Sequence, residues 1–586
     1  MNITRGNRRR IAVAVFAVFA VVGVFTVRLV DIQLVRADEL NSEAKGKRAI
    51  EVTVAAPRGD IVDANGNVLA DSVIRYDVTA DPSNIGDFSR KNDDGGTTQV
   101  SVMDAAGEIA ALTGQTQNDV FLALTKDPKA NWALVSKGVD TETMRAIRKL
   151  KIPGIYFESR PTRTYPDGQV AGNLVGFVGT DGPQNGLEAT ENECLKSTDG
   201  SETYERGADG VQIPGSSVTT KQAVPGGTLK LTIDRDLEWF AQQAIAEQGT
   251  AIGAQSATAV VFEVKTGHLL AVADWPSVDP NDVTATAEAD PGALGSRAFT
   301  AQYEPGSVFK GMSAAILLDT GIGSPTMQAT VPSTWTTPEG GTVRDAAPHP
   351  VQRLTLTGVL QNSSNVGISM LGSKVPASVR YDYMKKFGLG ERTAVDFQGE
   401  ASGYLPRSWD DQTKYNVLYG QGVSATALQV AGIYQTLGND GVRLPLTLVE
   451  SCTRADGTVV APQSGSGTQV VSKNSAETTV NMLESVVQGG ELSKAVKIPG
   501  YRVAGKSGTA EVAENGRYSS DRIVSFVGLA PADDPQYGVL VTYTKPATMK
   551  SSAAAAPTFN TIMTQVLTKY RVPPSTTPST YPATTW

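Results

Sequence analysis

The sequence predicts a multidomain, membrane-anchored protein of mixed α and β structure. Its 586 residues exceed what one compact core usually holds, so two to four domains are expected. A long apolar run over residues 11–27 predicts a membrane segment ahead of these domains. From about residue 229 to Tyr570, segments typical of strands and helices alternate, which predicts a large α/β domain.

The apolar run at 11–27 predicts an uncleaved signal anchor. As a helix it spans about 26 Å, slightly less than a hydrocarbon core of about 30 Å, and residues 29–30 extend it. Arg28 can extend its charged end towards the interface. The run is not followed by the small-residue cleavage site that a signal peptide requires. Four arginines lie within the first ten residues, so we expect a cytoplasmic N-terminus and an extracytoplasmic remainder.

Local pattern and composition divide the rest of the chain. A strand over 229–233 ends at Asp234, a suitable N-cap for the helix that follows, and we place a domain boundary there. The segment from Pro573 onward is rich in Pro, Thr and Ser and has little to bury, which predicts disorder. The predicted segments are a cytoplasmic tail (1–10), a transmembrane signal anchor (11–30), an N-terminal domain (31–235), a second domain (236–570) and a disordered C-terminal tail (571–586).

The most informative stretch is the S-x-x-K sequence formed by Ser307 and Lys310. A serine hydroxyl is nearly inert at neutral pH, so catalysis needs a group that takes its proton. Residues three apart on a helix share a face, so Lys310 can reach Ser307. A Pro-Gly pair precedes Ser307 and helix-forming residues follow Lys310. This context places Ser307 at a helix N-terminus, where free N–H groups favour developing negative charge.

An isolated S-x-x-K sequence has little specificity. Ser42 and Lys45 form a second one, in a charged stretch without a preceding glycine turn, where a surface serine and a solvated lysine are the simpler interpretation. Ser307 stands out because an S-x-N and a K-S-G sequence follow it, in the order found in β-lactamases and penicillin-binding proteins. The two further motifs are Ser363-Ser364-Asn365 and Lys506-Ser507-Gly508-Thr509.

Two other stretches imitate these motifs. The K-T-G sequence at 265–267 precedes the nucleophile and lies between two strand-like segments, which predicts the tip of a hairpin. The S-x-N sequence at 472–474 stands before a helical segment, where Ser and Asn are ordinary capping residues. Their order and context reject both as parts of the site.

Composition excludes several classes of protein. A net charge of −8 argues against nucleic acid as a partner. His268 and His349 lie in no metal-ligand spacing, so we expect no metal and no cofactor. Cys194 and Cys452 are too few for a disulfide framework, although one bridge is chemically allowed outside the cytoplasm. They fall in different predicted domains, and we expect two unpaired, partly buried thiols.

The chain resembles the class B penicillin-binding proteins, which are monofunctional peptidoglycan D,D-transpeptidases, and most closely their septal, cell-division type. Residues 57–63 resemble the opening of the family's pedestal domain, and Glu304 before the Pro-Gly pair resembles the septal type. Ser507 departs from the family pattern, in which threonine is common. Further matching positions lie in the pedestal and between the second and third motifs: Arg163, Tyr165, Pro166, Gly168 and residues 176–179, 186–188, 419–422, 426–429 and 439–441.

The resemblance implies a fold and a reaction. The fold is an α+β pedestal (dimerisation-like) domain followed by a penicillin-binding/serine β-lactamase-like α/β transpeptidase domain, an antiparallel sheet with flanking helices. The reaction is the cross-linking of stem peptides ending in D-Ala-D-Ala, with release of D-Ala and with β-lactams as inhibitors. Since no glycosyltransferase domain precedes the pedestal, the implied partners are a membrane peptidoglycan glycosyltransferase and other division proteins.

The resemblance also assigns the site residues. Ser307 is the nucleophile and Lys310 its base, whose pKa burial and Lys506 would lower. Ser363, polarised by Lys506, passes a proton to the leaving amine. The backbone N–H groups of Ser307 and Thr509 form the oxyanion hole, which contributes about 3 kcal/mol per donor. The implied catalytic residues are Ser307, Lys310, Ser363 and Lys506, and the implied substrate-binding residues are Asn365, Ser507, Gly508 and Thr509.

Other functions use the same motifs. A D,D-carboxypeptidase or a β-lactamase would use water as the acceptor, but both are usually shorter, and a deacylating carboxylate cannot be assigned here. A non-catalytic scaffold that activates a partner glycosyltransferase would not need three intact motifs. A β-lactam sensor would need a signalling domain, for which ten cytoplasmic residues leave no room. The transpeptidase is therefore the favoured function.

Overall fold

The protein is described by a computed structural model that divides into two compact units. The smaller unit comprises residues 1–56 and 197–225, and the larger one residues 57–196 and 226–586. The S-x-x-K sequence at 42–45 lies outside the described residues. The described residues are 5–40, 49–91, 95–179, 181–205, 213, 215–461, 465–514 and 517–586.

A single long helix, α1 (Arg5–Val30), opens the smaller unit and continues as a π-helix over Asp31–Val35. It contains the predicted anchor at 11–30, and its apolar side chains face outward. By length and composition the helix can cross a membrane. A single-pass membrane anchor fits this helix.

The strands and short helices before residue 232 are interleaved. The strands between residues 49 and 231 are β1 (Ala49–Val54), β2 (Ile61–Val62), β3 (Val68–Ala80), β4 (Phe88–Lys91), β5 (Thr97–Val100), β6 (Ala133–Val139), β7 (Ile155–Thr164), β8 (Val178–Gly179), β9 (Gly182–Pro183), β10 (Gly200–Glu205), β11 (Val218–Lys221) and β12 (Thr228–Leu231). The helices between residues 102 and 195 are α2 (Val102–Thr113), α3 (Gln117–Thr125), α4 (Thr141–Lys149), α5 (Gly172–Val175), α6 (Gly186–Thr190) and α7 (Asn192–Leu195).

The remainder of the chain contains longer helices around a larger sheet. Its strands are β13 (Ser256–Glu263), β14 (Leu269–Trp275), β15 (Gln328–Val331), β16 (Thr334–Thr336), β17 (Thr342–Arg344), β18 (Gln352–Thr355), β19 (Val442–Arg443), β20 (Val449–Thr453), β21 (Val459–Val460), β22 (Thr468–Gln469), β23 (Ala504–Glu514), β24 (Arg517–Ala530) and β25 (Tyr537–Thr544). Its helices are α8 (Arg235–Ile252), α9 (Thr284–Ala289), α10 (Arg297–Thr300), α11 (Lys310–Asp319), α12 (Leu356–Gln361), α13 (Asn365–Gly372), α14 (Ala377–Lys386), α15 (Thr413–Asn416), α16 (Ala427–Gly438), α17 (Lys473–Gly489), α18 (Ser493–Val496) and α19 (Ala556–Lys569).

Each unit contains a sheet built mainly from strands before residue 232, and in the larger unit β20 and β21 join that sheet. In the smaller unit, β1, β10 and β11 form an antiparallel sheet. In the larger unit, the sheet order is β21-β20-β12-β2-β3-β6, with β7 also paired to β3. This second sheet joins strands from both sides of the predicted boundary at residue 235. The predicted boundary at residue 235 lies within the larger unit, and the predicted domain limits stay predictions.

The third motif, residues 506–509, lies on β23, an edge strand of a five-stranded antiparallel sheet with the order β14-β13-β25-β24-β23. Successive side chains of β13 enter two different cores, because a strand alternates its faces. Ala259 and Val261 pack with α8 and α19. Val260 and Phe262 pack on the other side with α11, α16 and α17. The predicted antiparallel sheet with flanking helices is confirmed.

The two cysteines differ from the sequence expectation. Cys194 and Cys452 form a disulfide across 258 residues of sequence, so the prediction of two unpaired thiols is wrong. Cys194 lies on α7 and Cys452 on β20, which pairs with β12. The backbone just before β12 brings them together: Gly227 N–H donates to the Cys194 carbonyl at 2.8 Å, and a Cβ on Gly227 would lie 3.2 Å from Cys452 Sγ.

The C-terminal tail also differs from the expectation of disorder. Residues 571–586 run over the larger unit beside β18 and α12. The Thr355 hydroxyl donates to the Ala583 carbonyl at 2.5 Å. A Cβ on Gly358 would lie 1.9 Å from the Thr584 carbonyl oxygen, so glycine is required at this close approach. Backbone hydrogen bonding, which composition does not report, holds the tail in place.

Candidate active site

Ser307 lies in a 3-10 turn, Gly306–Phe309, that leads directly into α11. The buried Tyr434 hydroxyl on α16 donates to the Val308 carbonyl at 2.8 Å and holds this turn in place. Lys310 is the first residue of α11, and its Nζ lies 2.9 Å from Ser307 Oγ. The predicted helix start and the serine–lysine contact are both confirmed.

The second motif lies between α12 and α13 and faces the same lysine. Lys310 Nζ donates to Asn365 Oδ1 at 2.7 Å, to Ser363 Oγ at 3.2 Å and to the Ser363 carbonyl oxygen. Ser363 has a φ of +55°, a left-handed conformation that is costly for residues other than glycine. Ser364, the middle residue, caps α13 by accepting from the Gly367 N–H at 2.8 Å. The turn thus places Ser363 and Asn365 on the Lys310 side.

The third motif lies on β23 and supplies a second lysine. Lys506 Nζ donates to Ser363 Oγ at 2.9 Å, so Ser363 stands between two amines. Glycine is required at 508, because a Cβ there would lie 2.3 Å from Ser525 Oγ and 3.0 Å from Val308. Without that side chain β23 can pack against the turn that carries Ser307.

Ser507 and Thr509 present their hydroxyls from one face of β23, as expected of residues two apart on a strand. Lys506 is fully buried, whereas Thr509 is exposed. Thr509 Oγ1 accepts from the Ser552 N–H at 3.2 Å. The structure therefore brings the eight predicted site residues together, and their individual roles stay predictions.

The two imitations of the motifs have the structures that their context predicts. Residues 265–267 form the hairpin between β13 and β14, with Gly267 at a φ of +76°. Ser472 is the N-cap of α17 and accepts from the Ser475 N–H at 3.3 Å.

Burial dominates the electrostatics of the site. Both lysine side chains are fully buried. Burial lowers the pKa of Lys310 well below its usual value, and the charge of Lys506 lowers it further. Burial lowers the pKa of Lys506 to about 7. The predicted direction and causes for Lys310 are confirmed, and a neutral amine beside Ser307 can accept its proton.

Sequence analysis missed two carboxylates near the motifs. Asp345, just after β17, accepts a hydrogen bond from Ser364 Oγ at 2.7 Å. Glu304 accepts from the Tyr518 hydroxyl at 3.0 Å and from the Gly422 N–H at 2.8 Å. Asp345 lies 19 residues before Ser364, and no known sequence motif links the two positions. The sequence therefore gives no reason to assign Asp345 to the site. Glu304 served there only as a mark of the septal type.

Comparison with known proteins identifies the family of this chain. The family described as penicillin binding protein transpeptidase domain matches residues 257–564, and the penicillin-binding protein dimerisation domain matches residues 53–231. The penicillin-binding protein PbpB of Mycolicibacterium smegmatis is 35% identical, with 96% of this chain and 90% of that protein covered. The chain belongs to the class B penicillin-binding proteins. The peptidoglycan D,D-transpeptidase FtsI of Escherichia coli is 31% identical to this class B protein, with 93% and 89% covered.

Solved structures share the fold of this class B penicillin-binding protein. A peptidoglycan synthetase from Bifidobacterium adolescentis has a TM-score of 0.72 and 32% identity, with 92% of this chain and 100% of that chain covered. Penicillin binding protein 3 from Mycobacterium tuberculosis, complexed with aztreonam, has a TM-score of 0.68 and 29% identity, with 91% and 100% covered. The resemblance in sequence and the two-domain fold of the class are therefore confirmed.

Proposed function

We propose that this chain is a septal peptidoglycan D,D-transpeptidase that works through an acyl-enzyme on Ser307. The observation that carries the proposal is one continuous chain of polar contacts. It runs from Ser307 Oγ to Lys310 Nζ (2.9 Å), on to Ser363 Oγ (3.2 Å), and from there to Lys506 Nζ (2.9 Å). A nucleophile, a base and a proton relay are the parts that acyl transfer requires.

In the first half of the reaction, Ser307 Oγ attacks the carbonyl carbon between the two terminal D-Ala residues of a stem peptide. Neutral Lys310 takes the serine proton as the oxygen–carbon bond forms. The carbon–nitrogen bond then breaks, and Ser363 gives its hydroxyl proton to the departing D-Ala amine while it receives the proton that Lys310 took from Ser307, so that Lys310 is neutral again. Protonated Lys506, 2.9 Å from Ser363 Oγ, favours this transfer because it polarises the hydroxyl.

The substrate lies along β23 in this mechanism. The Ser507 and Thr509 hydroxyls bind the terminal carboxylate, and the Asn365 amide bonds to the substrate backbone. Backbone N–H groups of Ser307 and Thr509 stabilise the oxyanion, and the small Gly508 permits their close approach. In the second half, an acceptor amine attacks the acyl carbon and loses a proton to neutral Lys310. The ester bond to Ser307 then breaks, and Lys310 gives that proton to Ser307 Oγ.

The membrane helix completes the proposal. Arginines at the N-terminal end of α1 favour a cytoplasmic position for residues 1–10, and the transpeptidase domain would then lie outside the cytoplasm, where peptidoglycan is cross-linked. New glycan strands would come from a membrane glycosyltransferase that acts with this chain and with other division proteins. β-Lactams would acylate the same serine.

Aminolysis of a donor tests the proposed reaction. Full-length protein in detergent receives a thioester analogue of the D-Ala-D-Ala terminus and a free D-amino acid as the amine acceptor. We expect thiol release together with an amide product that increases with acceptor concentration. Thiol release with only hydrolysed product would instead indicate a carboxypeptidase, and no turnover of the donor would indicate a scaffold.

The rate of acylation by a fluorescent penicillin should have a bell-shaped dependence on pH. The rate rises as Lys310 loses its proton, because only the neutral amine is a base, and the pKa of Lys310 is lowered. It falls as Lys506 loses its proton, which the pKa of about 7 places near neutrality. Because the two amines interact, the two limbs report the pair rather than either residue alone. Initial rates between about pH 5 and 9 measure both limbs.

Lys506→Arg is the matched variant for the alkaline limb. A guanidinium stays protonated throughout this pH range, so the decline near neutrality should disappear even if the absolute rate is lower. An alkaline limb that stays at the same pH in this variant would show that Lys506 does not cause it.

A further inference from the structure

One carboxylate outside the three motifs holds the first turn of α13. Asp345 Oδ1 accepts from the Val366 N–H at 2.9 Å, and Oδ2 accepts from Ser364 Oγ at 2.7 Å. These two residues flank Asn365 in the second motif. A carboxylate at a helix N-terminus is stabilised by the free N–H groups and by the helix dipole. Asp345 therefore fixes this turn from a different part of the chain.

The neighbouring residue adds a second contact to the same motif. Asn365 Nδ2 donates to the Arg344 carbonyl at 3.0 Å, while Asn365 Oδ1 accepts from Lys310 at 2.7 Å. The Asn365 amide thus links the end of β17 to the catalytic amine. A shift of residues 344–345 would move a hydrogen-bond partner of Lys310.

His349 in turn holds Asp345. Its Nε2 lies 2.9 Å from Asp345 Oδ2, and its Nδ1 lies 2.7 Å from the Pro350 carbonyl oxygen. Both ring nitrogens face acceptors, and only the protonated imidazole can donate to both. The side chains of Asp345 and His349 are 8% and 17% exposed, so water competes little for these contacts. The ring and the carboxylate form one ion pair at the base of the motif.

The second motif needs stabilising contacts because the backbone of Ser363 is strained. The left-handed φ of Ser363 persists only if surrounding contacts outweigh its cost. We propose that Asp345 and His349 form a positioning pair for the second motif, which keeps Ser363 and Asn365 aligned with the two catalytic lysines during acylation. The inference rests on the proposed transpeptidase function and adds two residues to it that do not touch the substrate.

The charges around the pair agree with this role. Hydrogen bonds to the Pro350 carbonyl and to Asp345 raise the pKa of His349, which favours its charged form. The Asp345 charge acts on Lys310 and opposes part of the lowering of its pKa. The pair thus influences Lys310 through space as well as through Asn365.

Separating the acylation step from binding tests the proposal. Acylation of the full-length protein by a chromogenic cephalosporin is followed by stopped flow, which gives the rate constant of the chemical step and the dissociation constant of the preceding complex. We expect Asp345→Asn and His349→Leu each to slow the chemical step by about tenfold or more, because a charge-assisted contact is lost. The dissociation constant should change by less than about twofold. His349→Gln, which can still donate to Asp345, should recover part of the rate.

His268→Leu is the matched control, since His268 is the other histidine of the chain and lies by the β13–β14 hairpin. It should acylate as the wild type does. Wild-type rates in Asp345→Asn and His349→Leu would overturn the positioning pair and leave the proposed function intact. A slower chemical step accompanied by weaker binding of the cephalosporin and a lower thermal midpoint would also overturn it, because such a combined loss indicates a general structural role. Failure of the wild-type protein to acylate would instead contradict the proposed function.

Discussion

Ser307→Ala is expected to abolish covalent labelling by β-lactams and turnover of D-Ala-D-Ala donors. In the proposed mechanism the acyl bond forms at Ser307 Oγ, which lies 2.9 Å from the buried amine of Lys310, and alanine removes that oxygen. Loss of the nucleophile from a catalytic unit lowers the rate by at least about 10³-fold. Alanine fits wherever serine does, so the thermal midpoint should stay close to that of the wild type. Gel fluorescence with labelled penicillin and mass spectrometry of the intact protein measure the adduct.

Two serines serve as controls for this variant. Ser363 Oγ also contacts Lys310, at 3.2 Å, and is the hydroxyl to test as an alternative nucleophile. Ser363→Ala should slow labelling yet leave the adduct on the tryptic peptide that contains Ser307. Ser42→Ala, in the other S-x-x-K sequence, should label normally. Persistent labelling of Ser307→Ala, or an adduct mapped to another peptide, would contradict the nucleophile assignment.

Short-range patterns explain why much of the fold and site could be predicted from sequence. Asp234 caps α8 by accepting from the Leu237 N–H at 3.0 Å, as the strand–Asp–helix pattern indicates. The spacing of Ser307 and Lys310 predicts their contact because both lie within one helical turn. Such features depend on neighbours in the chain, and order along the chain together with local context was sufficient to reject the imitations at 265–267 and 472–474.

Long-range pairing explains what could not be predicted. Cys194 and Cys452 meet because β20 pairs with β12, a register that separate segments do not disclose. Asp345 meets the second motif because β17 ends beside α13. Ala583 and Thr584 dock on β18 through their carbonyl groups, which accept from the Thr355 hydroxyl and N–H and which composition does not report. In each case the missing information is which strands or turns become neighbours.

The left-handed Ser363 marks the point where local and global preferences disagree. A serine at a φ of +55° is unfavourable by itself, and the local sequence gives no reason for it. In the folded chain this conformation puts Ser363 Oγ between Lys310 and Lys506. Glycine would adopt this conformation at lower cost but would not supply the hydroxyl that contacts the two lysines, which agrees with the proposed role of Ser363.

Replacement of Lys310 should have the second large effect and can separate two roles of its amine. Lys310→Met keeps the apolar stem but removes the base, and we expect acylation to slow by about 10² to 10⁴-fold. Lys310→Arg introduces a permanent positive charge that can still donate to Asn365 and Ser363, but an arginine stays protonated in proteins and cannot take the serine proton. Both variants should therefore be almost inactive, as measured by the rate of labelling with fluorescent penicillin.

The comparison of the two Lys310 variants shows whether Lys310 acts as the base for Ser307 or only holds Asn365 in position. If Lys310 only anchored Asn365 through the 2.7 Å contact, the arginine variant would retain most of the acylation rate while the methionine variant would not. Because Lys310 is fully buried, the thermal midpoints of both variants must be measured to show that they fold. If the larger arginine does not fit, Lys310→Met still tests whether the amine is needed. Lys473→Arg, at an exposed lysine, is the matched control and should acylate normally. An active arginine variant would show that charge, and not proton acceptance, is what Ser307 requires of its neighbour.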